Sequence, residues 1–429
     1  MMGPPHLTSF VIVGAGAAGL MTARELARAG KGVTILEARD RCGGRIWPLP
    51  VGEFGYPAEG GAEFVHGAAR VTRALMREAH LSLSSRAGTR WSTRAGTLSP
   101  DESSLPHAGR FYQALRAVKA DLPIAQFLEA HFAGREYERL RRAITRMVEG
   151  YDAADPSRIS TFAIRDEWTA RDEGQGGRLA EGYGALVKYL ESECRVHGAA
   201  IHLDAIVTAL EYGHGGIVAR CQDGAMCEAD AVVLTLPAPL LTEIALPSAA
   251  HKRAAAAADI GFGNVIKILL RFATNWWTDY GGLDLADLSF LISDATIPTW
   301  WTQYPSCQPV MTGWFAGPKA EGAASSTAAE LVEMGLTSLA EIFELPADRL
   351  RRDLVASRAI NWGNDPFARG AYSYATPRTR AAQASLGEWD DGTIFFAGEA
   401  LYGGPDMGTV EAALASGLET ARAILAKEP

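Results

Sequence analysis

The chain has 429 residues, a formal net charge of −9, 48% hydrophobic residues and five cysteines. The length fits two or three domains with an ample core, and the acidic balance disfavours nucleic acid or anionic membrane partners. The cysteines form no CxxC pair and no even framework, which excludes a disulfide scaffold and a cysteine zinc site, and the longest apolar runs fall far short of a membrane span.

The stretch from Phe10 to Leu20 reads as a hydrophobic strand, a Gly14-x-Gly16-x-x-Gly19 turn and the start of a helix. Gly14 allows the tight turn, Gly16 lets backbone N–H groups approach a pyrophosphate, and Gly19 lets the helix sit close on the strand. Val33–Leu36 reads as the next strand and ends at Glu37, 18 positions after Gly19. An acidic side chain there accepts hydrogen bonds from an adenosine ribose. Two arginines flank paired glycines in Arg41-Cys-Gly-Gly-Arg45, which suits guanidinium forks on a pyrophosphate; alone, the run also describes a basic surface loop. A dinucleotide site therefore opens the chain. The first strand starts by about Thr8, leaving no room for a signal peptide, and the C-terminus carries no hydrophobic anchor. A cytoplasmic monomer or homodimer is expected.

From about residue 83 to 174, the segments Gly109–Lys119, Pro123–Phe132 and Glu136–Glu149 show helical apolar spacing with many charges, and a mostly helical insertion is expected. Asp166, Glu167, Asp172 and Glu173 read as surface charge there, with attraction of polycations as the alternative. A helix from Gly182 and short strands at Ala200–Leu203, Ile206–Tyr212, Ile217–Cys221 and Ala231–Thr235 return to the nucleotide-binding part.

A second departure begins at about Gly261. Val265–Phe272 reads as a strand whose sheet is extended by Phe290–Ser293, Val310–Trp314 and Leu354–Trp362, and Ala328–Phe343 reads as a helix. Lys267 stands between Ile266 and Ile268. A buried ammonium there needs a partner, while strand alternation also permits a lysine facing solvent. The aromatic run Thr299–Tyr304, with Trp314 and Phe315, reads as core or as a pocket wall. Thr393–Glu399 is a strand running into a loop, and Thr409–Ala426 is a helix with one buried face. The expected fold is α/β. A Rossmann-like dinucleotide-binding domain from residues 1–82, 175–260 and 376–429 is interleaved with an α+β substrate domain from residues 83–174 and 261–375.

The ordered motifs resemble the flavin-containing amine oxidase superfamily. Gly60–Gly67 is similar to the segment that passes beside the isoalloxazine ring, and Gly261–Lys267 resembles the strand bearing that family's active-site lysine. Trp362–Tyr374, Phe395–Ala400 and Met407–Ala413 complete the pattern, which runs from residue 10 to about 425. Polyamine oxidases and the catalytic domain of lysine-specific histone demethylases are nearest in pattern. The resemblance implies FAD, held without a covalent bond because Ala371 stands where monoamine oxidases carry the flavin-bonding cysteine. It assigns cofactor contacts to Gly14, Gly16, Ala17, Ala18, Gly19, Glu37, Ala38, Arg39, Gly43, Gly44, Arg45, Gly61, Ala62, Glu63, Phe64, Val207, Trp362, Gly398, Glu399, Gly408, Thr409 and Val410. Val207 meets the adenine through its backbone, and Glu399 meets the ribityl chain or phosphate. The helix starting at Gly408-Thr409-Val410 points its N-terminus at the flavin pyrimidine, where its dipole favours the reduced, anionic ring.

Catalytic roles follow from the same resemblance. Lys267 holds a water against flavin N5, Tyr372 forms an aromatic wall, and Thr409 replaces a second tyrosine found in monoamine oxidases. His66 either lies near the substrate nitrogen or flavin or is structural; Glu63 either meets an ammonium or completes the loop's hydrogen bonds. The implied reaction oxidises a small-molecule primary or secondary amine by hydride transfer to flavin N5. The imine hydrolyses to aldehyde plus amine or ammonia, and O2 is reduced to H2O2. Two other readings share the pattern: an amino-acid oxidase or C–C desaturase on the same fold, and an FAD-binding protein without catalysis.

Overall fold

Five short segments far apart in the sequence pair into one parallel sheet in the computed structural model of the chain, in the order Ile394–Phe396, Ala231–Leu234, Ser9–Val13, Gly32–Leu36 and Ala200–His202. The structure describes residues 7–85, 87–94, 96–101, 105–169, 176–389 and 392–427. Both faces of this sheet are covered, which is why its strands read as near-continuous apolar runs. Phe10, Ile12, Val33 and Ile35 pack on one face with residues of the helices Ala17–Arg28, Tyr183–Val196 and Val410–Ala426. Val11, Val13 and Leu36 face the other way, toward the three-stranded antiparallel sheet Val207–Tyr212, Ile217–Cys221 and Met226–Ala229.

The second sheet has seven strands, in the order Leu354–Asn361, Val265–Phe272, Val310–Ala316, Thr299–Trp301, Leu288–Ile292, Thr89–Arg94 and Thr97–Pro100. Val265–Phe272 is antiparallel to both its neighbours. Its Ile266, Ile268 and Leu270 pack with Leu331, Leu336 and Leu339 of the helix Ala328–Ile342. Side chains alternate along a strand, so Lys267 is turned to the opposite side.

Four helices, Ala108–Ala117, Ile124–Phe132, Glu138–Tyr151 and Thr161–Thr169, share a core around Phe111, Phe127 and Ile144. The stretch expected as a helical insertion thus departs from that expectation at its start. Leu83–Ser85 pairs with Gly177–Leu179, and Thr89–Arg94 lies parallel to Leu288–Ile292. The partner strand is some two hundred residues away, and such pairing leaves no local periodicity to read. Asp172 and Glu173 lie outside the described residues. Among the described residues, no helix is long and apolar enough to cross a membrane.

The helix Val410–Ala426 is more deeply buried than a one-sided amphipathic element. Its Glu411 accepts hydrogen bonds from Val71 N (2.8 Å), Thr72 N (2.7 Å) and Thr72 Oγ1 (2.7 Å) at the start of the helix Arg70–Glu78. A β-carbon on its Gly417 would lie 2.4 Å from Ala18 O of the crossing helix. Gly417→Ala is therefore expected to destabilise by about 1–3 kcal/mol through overpacking against backbone, outweighing the gain of about 1 kcal/mol from helix propensity. Thermal melting at fixed FAD concentration checks the sign; an unchanged or higher midpoint would show that the two helices have room to part.

Candidate active site

A cavity of 2290 Å³ runs between the two sheets, and every residue singled out above for cofactor or catalysis lines it except Gly19 and Arg41. Gly19 lies beneath the turn, where a β-carbon would meet Gly14 O at 1.9 Å. No side chain caps the helix Ala17–Arg28, so its first N–H groups are left for a ligand. A β-carbon on Gly16 would meet nothing within 4 Å. Glu37 is buried at the end of its strand and accepts Ala15 N (2.6 Å) on Oε2 and Arg39 N (3.0 Å) on Oε1. Burial raises its carboxyl pKa, an effect these bonds and the charges of Arg39 and Arg41 oppose. Two lone pairs remain for ribose hydroxyls.

Farther along, Glu399 accepts Arg45 Nη1 (2.8 Å) and Ser373 Oγ (3.0 Å) on one oxygen, while its buried Oε2 has no partner. A buried carboxylate oxygen without a donor is costly. On a cavity wall beside an arginine, it fits a hydroxylated, phosphate-bearing ligand such as FAD. Arg41 differs from expectation: its guanidinium donates to Gly44 O (2.9 Å) and Ile46 O (2.8 Å), bracing the loop, and it does not line the cavity. Arg39 is held by Asp365 at 2.9 and 2.6 Å, and Trp362 donates to Gly60 O (3.2 Å). Thr409 caps the last helix, accepting Ala412 N (3.1 Å), and Gly408, with φ of 84°, makes the turn into it.

Lys267 is 1% exposed. Its Nζ donates to Glu63 Oε2 (2.7 Å) and Gly61 O (3.1 Å). Glu63 Oε1 accepts Arg178 Nε (2.8 Å), Trp301 Nε1 (3.1 Å) and Gln303 Nε2 (3.2 Å). Burial alone would raise the Glu63 carboxyl. The charges of Lys267 and Arg178, with hydrogen bonds from Lys267 and Gln303, overcome it and hold the pKa at about 2. No spacing in the sequence marks Arg178 or Gln303 as partners of this group.

Strand alternation divides the aromatic run. Trp301 and Trp314 line the cavity, whereas Trp300 and Phe315 enter the core of the second sheet. Trp314 stacks with Tyr372 at 6.4 Å and 20°, Trp301 lies 5.7 Å from Trp314, and Phe64 is 5.5 Å from Trp301. Tyr372 Oη donates to Tyr151 O (2.6 Å), and His66 Nδ1 lies 3.3 Å from Tyr151 Oη. The next residue, Asp152, is 9% exposed, and its Oδ2 has no hydrogen-bond partner. Glu167 faces it from the helix Thr161–Thr169 and lines the same cavity, a correction to its reading as surface charge. Burial and then the proximity of Glu167 push the Asp152 pKa up; burial raises that of Glu167 to about 7, with Asp406 adding repulsion. Asp166 also lines the cavity but is exposed and pairs with Arg165.

A family model described as flavin containing amine oxidoreductase matches residues 17–425. Human lysine-specific histone demethylase 2 is 26% identical over 92% of this chain and 51% of its own length, so the chain spans about half of that relative. Polyamine oxidase 4 of Oryza sativa subsp. japonica is 25% identical over 96% of this chain and 88% of its own length. Among solved structures, a triple mutant of putrescine oxidase redesigned for cofactor binding superposes with a TM-score of 0.80 at 21% identity, covering 98% of this chain and 99% of the other. Cyclohexylamine oxidase from Brevibacterium oxydans IH-35A gives 0.79 at 20%, with the same coverage. The shared fold is the two-domain α/β amine oxidase architecture.

The Glu63 cluster has a pH signature. A carboxylate whose folded pKa lies near 2 stabilises the fold above about pH 4.5, and that contribution is lost as pH falls from 4.5 toward 2. Acid denaturation followed by circular dichroism is expected to show a shallower loss of stability across this window in Glu63→Gln than in wild type. Parallel curves would mean that the ion pair contributes nothing to folding.

Proposed function

This chain belongs to the flavin-containing amine oxidase family, and we propose that it oxidises a compact aliphatic diamine at an amino-bearing carbon. Its cofactor is FAD. When bound, FAD accepts the hydrogen and electron pair that leave the substrate α-carbon and passes the electrons to O2, giving H2O2. The product imine hydrolyses to an aldehyde plus ammonia or amine.

The chain's own residues bind, orient and desolvate. Glu37 would accept the adenosine ribose hydroxyls, and the uncapped N-terminus of Ala17–Arg28 would hold the pyrophosphate. Glu399 would receive a cofactor hydroxyl on its unpartnered oxygen, and the capped start of Val410–Ala426 would favour negative charge on a reduced flavin held near it. Ala371 has no thiol to bond the ring, which supports a non-covalently held cofactor. Lys267 has one N–H unused by the described residues and holds a water with it for the oxygen-dependent step. A substrate nitrogen must lose its ammonium proton before the α-carbon can release hydrogen. The wall of Phe64, Trp301, Trp314 and Tyr372 favours that neutral form by desolvation.

The Asp152–Glu167 pair, beside Tyr372 and lacking a cation among the described residues, carries the substrate assignment. A second ammonium, too far from the reacting carbon to need deprotonation, neutralises it. The same charge repels a substrate carboxylate and so opposes the amino-acid oxidase reading. Exposed Arg139, Arg142 and Arg146 also line the cavity, the last two paired with Glu138 and Asp294.

Two measurements test these roles. Putrescine should exceed 1-aminobutane in kcat/KM, and Asp152→Asn should cut that ratio by about 10- to 100-fold, the worth of a hydrogen bond between charged groups. Because the pair gains negative charge as pH rises through about 7, the ratio should rise over the same interval in wild type, and the rise should be smaller in the variant, which keeps only Glu167 to titrate. An equal ratio in both proteins would remove the pair from recognition. Glu37→Ala should weaken FAD binding by a similar factor in apoprotein titrations; an unchanged Kd would end the ribose assignment.

A further inference from the structure

The strand Val265–Phe272 fixes the Cα of Lys267, but four carbons of flexible stem separate it from the Nζ. What holds that nitrogen comes from another part of the chain. Gly61 O is one anchor, and its loop is set tightly enough on Arg45 that a β-carbon at Gly61 would lie 1.8 Å from Arg45 O. Glu63 Oε2 is the other, at 2.7 Å.

Glu63 is itself immobilised from behind. Its Oε1 takes three donors, from Arg178, Trp301 and Gln303. Arg178 in turn donates to Thr302 O (3.0 Å) and lies over the Phe64 ring at 4.4 Å. With Oε1 fully engaged and Oε2 facing Lys267, little acceptor capacity is left for a substrate ammonium.

We propose that Glu63 is the positioning residue for Lys267 in the reaction with oxygen, and that it does not bind substrate. This inference rests on the reading that Lys267 serves the oxygen-dependent step. Outer-shell partners of this kind typically alter activity by about 10- to 100-fold when removed.

The test uses holoenzyme photoreduced without substrate and then mixed with oxygenated buffer, comparing wild type, Lys267→Met, Glu63→Gln, Glu63→Asp and the Lys267→Met/Glu63→Gln double variant. Anaerobic reduction by putrescine is timed separately. FAD content and melting temperature identify any variant that fails to fold, and Glu63→Asp keeps the carboxylate should Glu63→Gln be lost. The expected result is about tenfold slower reoxidation or more in Glu63→Gln. The expected pattern also has partial recovery in Glu63→Asp, no added effect in the double variant, and the same shift of the visible flavin band in Glu63→Gln as in Lys267→Met. Wild-type reoxidation in Glu63→Gln beside a slow Lys267→Met overturns the inference alone. So does a Glu63→Gln that binds putrescine more weakly but reoxidises normally, which would make Glu63 a substrate residue. Wild-type reoxidation in Lys267→Met overturns the Lys267 reading itself, and the inference with it.

Discussion

An ammonium buried in the middle of an apolar strand is the constraint to which the rest of this molecule answers. Removing Lys267 from water costs several kcal/mol, and leaving it without its carboxylate would cost about 3–5 kcal/mol. The strand itself offers no acceptor, because its backbone is committed to two antiparallel neighbours. Compensation has to arrive from the loop 60–63, which belongs to the half of the molecule built on the parallel sheet. That loop is in turn held by Arg178, Trp301 and Gln303. The ion pair therefore ties the strand Val265–Phe272 to that loop at the cavity wall.

The cofactor cradle follows a related logic with neutral groups. At the turn after the first strand, the working parts are backbone N–H groups, and the glycines keep side chains from filling the space above them. Glu37 and Glu399 are carboxylates that the protein satisfies only in part. Their remaining lone pairs are open to hydroxyl donors. At the far end, the apolar aromatic faces and the Asp152–Glu167 pair, which lacks a cation among the described residues, line the same cavity.

Much of this was legible in the sequence because it depends on short-range rules. The glycine turn, the alternation through Val265–Phe272 and the capped start of the last helix are local features. The division of the aromatic run was not legible, although its cause is also alternation. Deciding that Trp301 faces the cavity and Trp300 the core requires knowing which face of the sheet is covered by Ala328–Ile342. Likewise, Glu167 looks like any helical surface acid until Asp152 and the cavity wall are placed against it. Arg41 shows the converse: a charge well placed in the sequence for a phosphate is turned by the fold to brace its own loop.

The amino-acid sequence by itself determined the order of the elements, the dinucleotide cradle with Gly14, Gly16 and Glu37, and the candidacy of Lys267 and Tyr372. The cradle is written in one strand–turn–helix–strand stretch, within reach of backbone geometry, whereas Lys267 and Tyr372 are marked by the resemblance of the ordered motifs. The tertiary structure alone decided that Lys267 is paired with Glu63, that Glu63 is held by Arg178, and that two acids share one corner of the cavity. Those contacts join residues separated by 204, 115 and 15 positions. The two longest are made by the packing of whole sheets, and even the shortest requires a turn between two helices that no periodicity specifies.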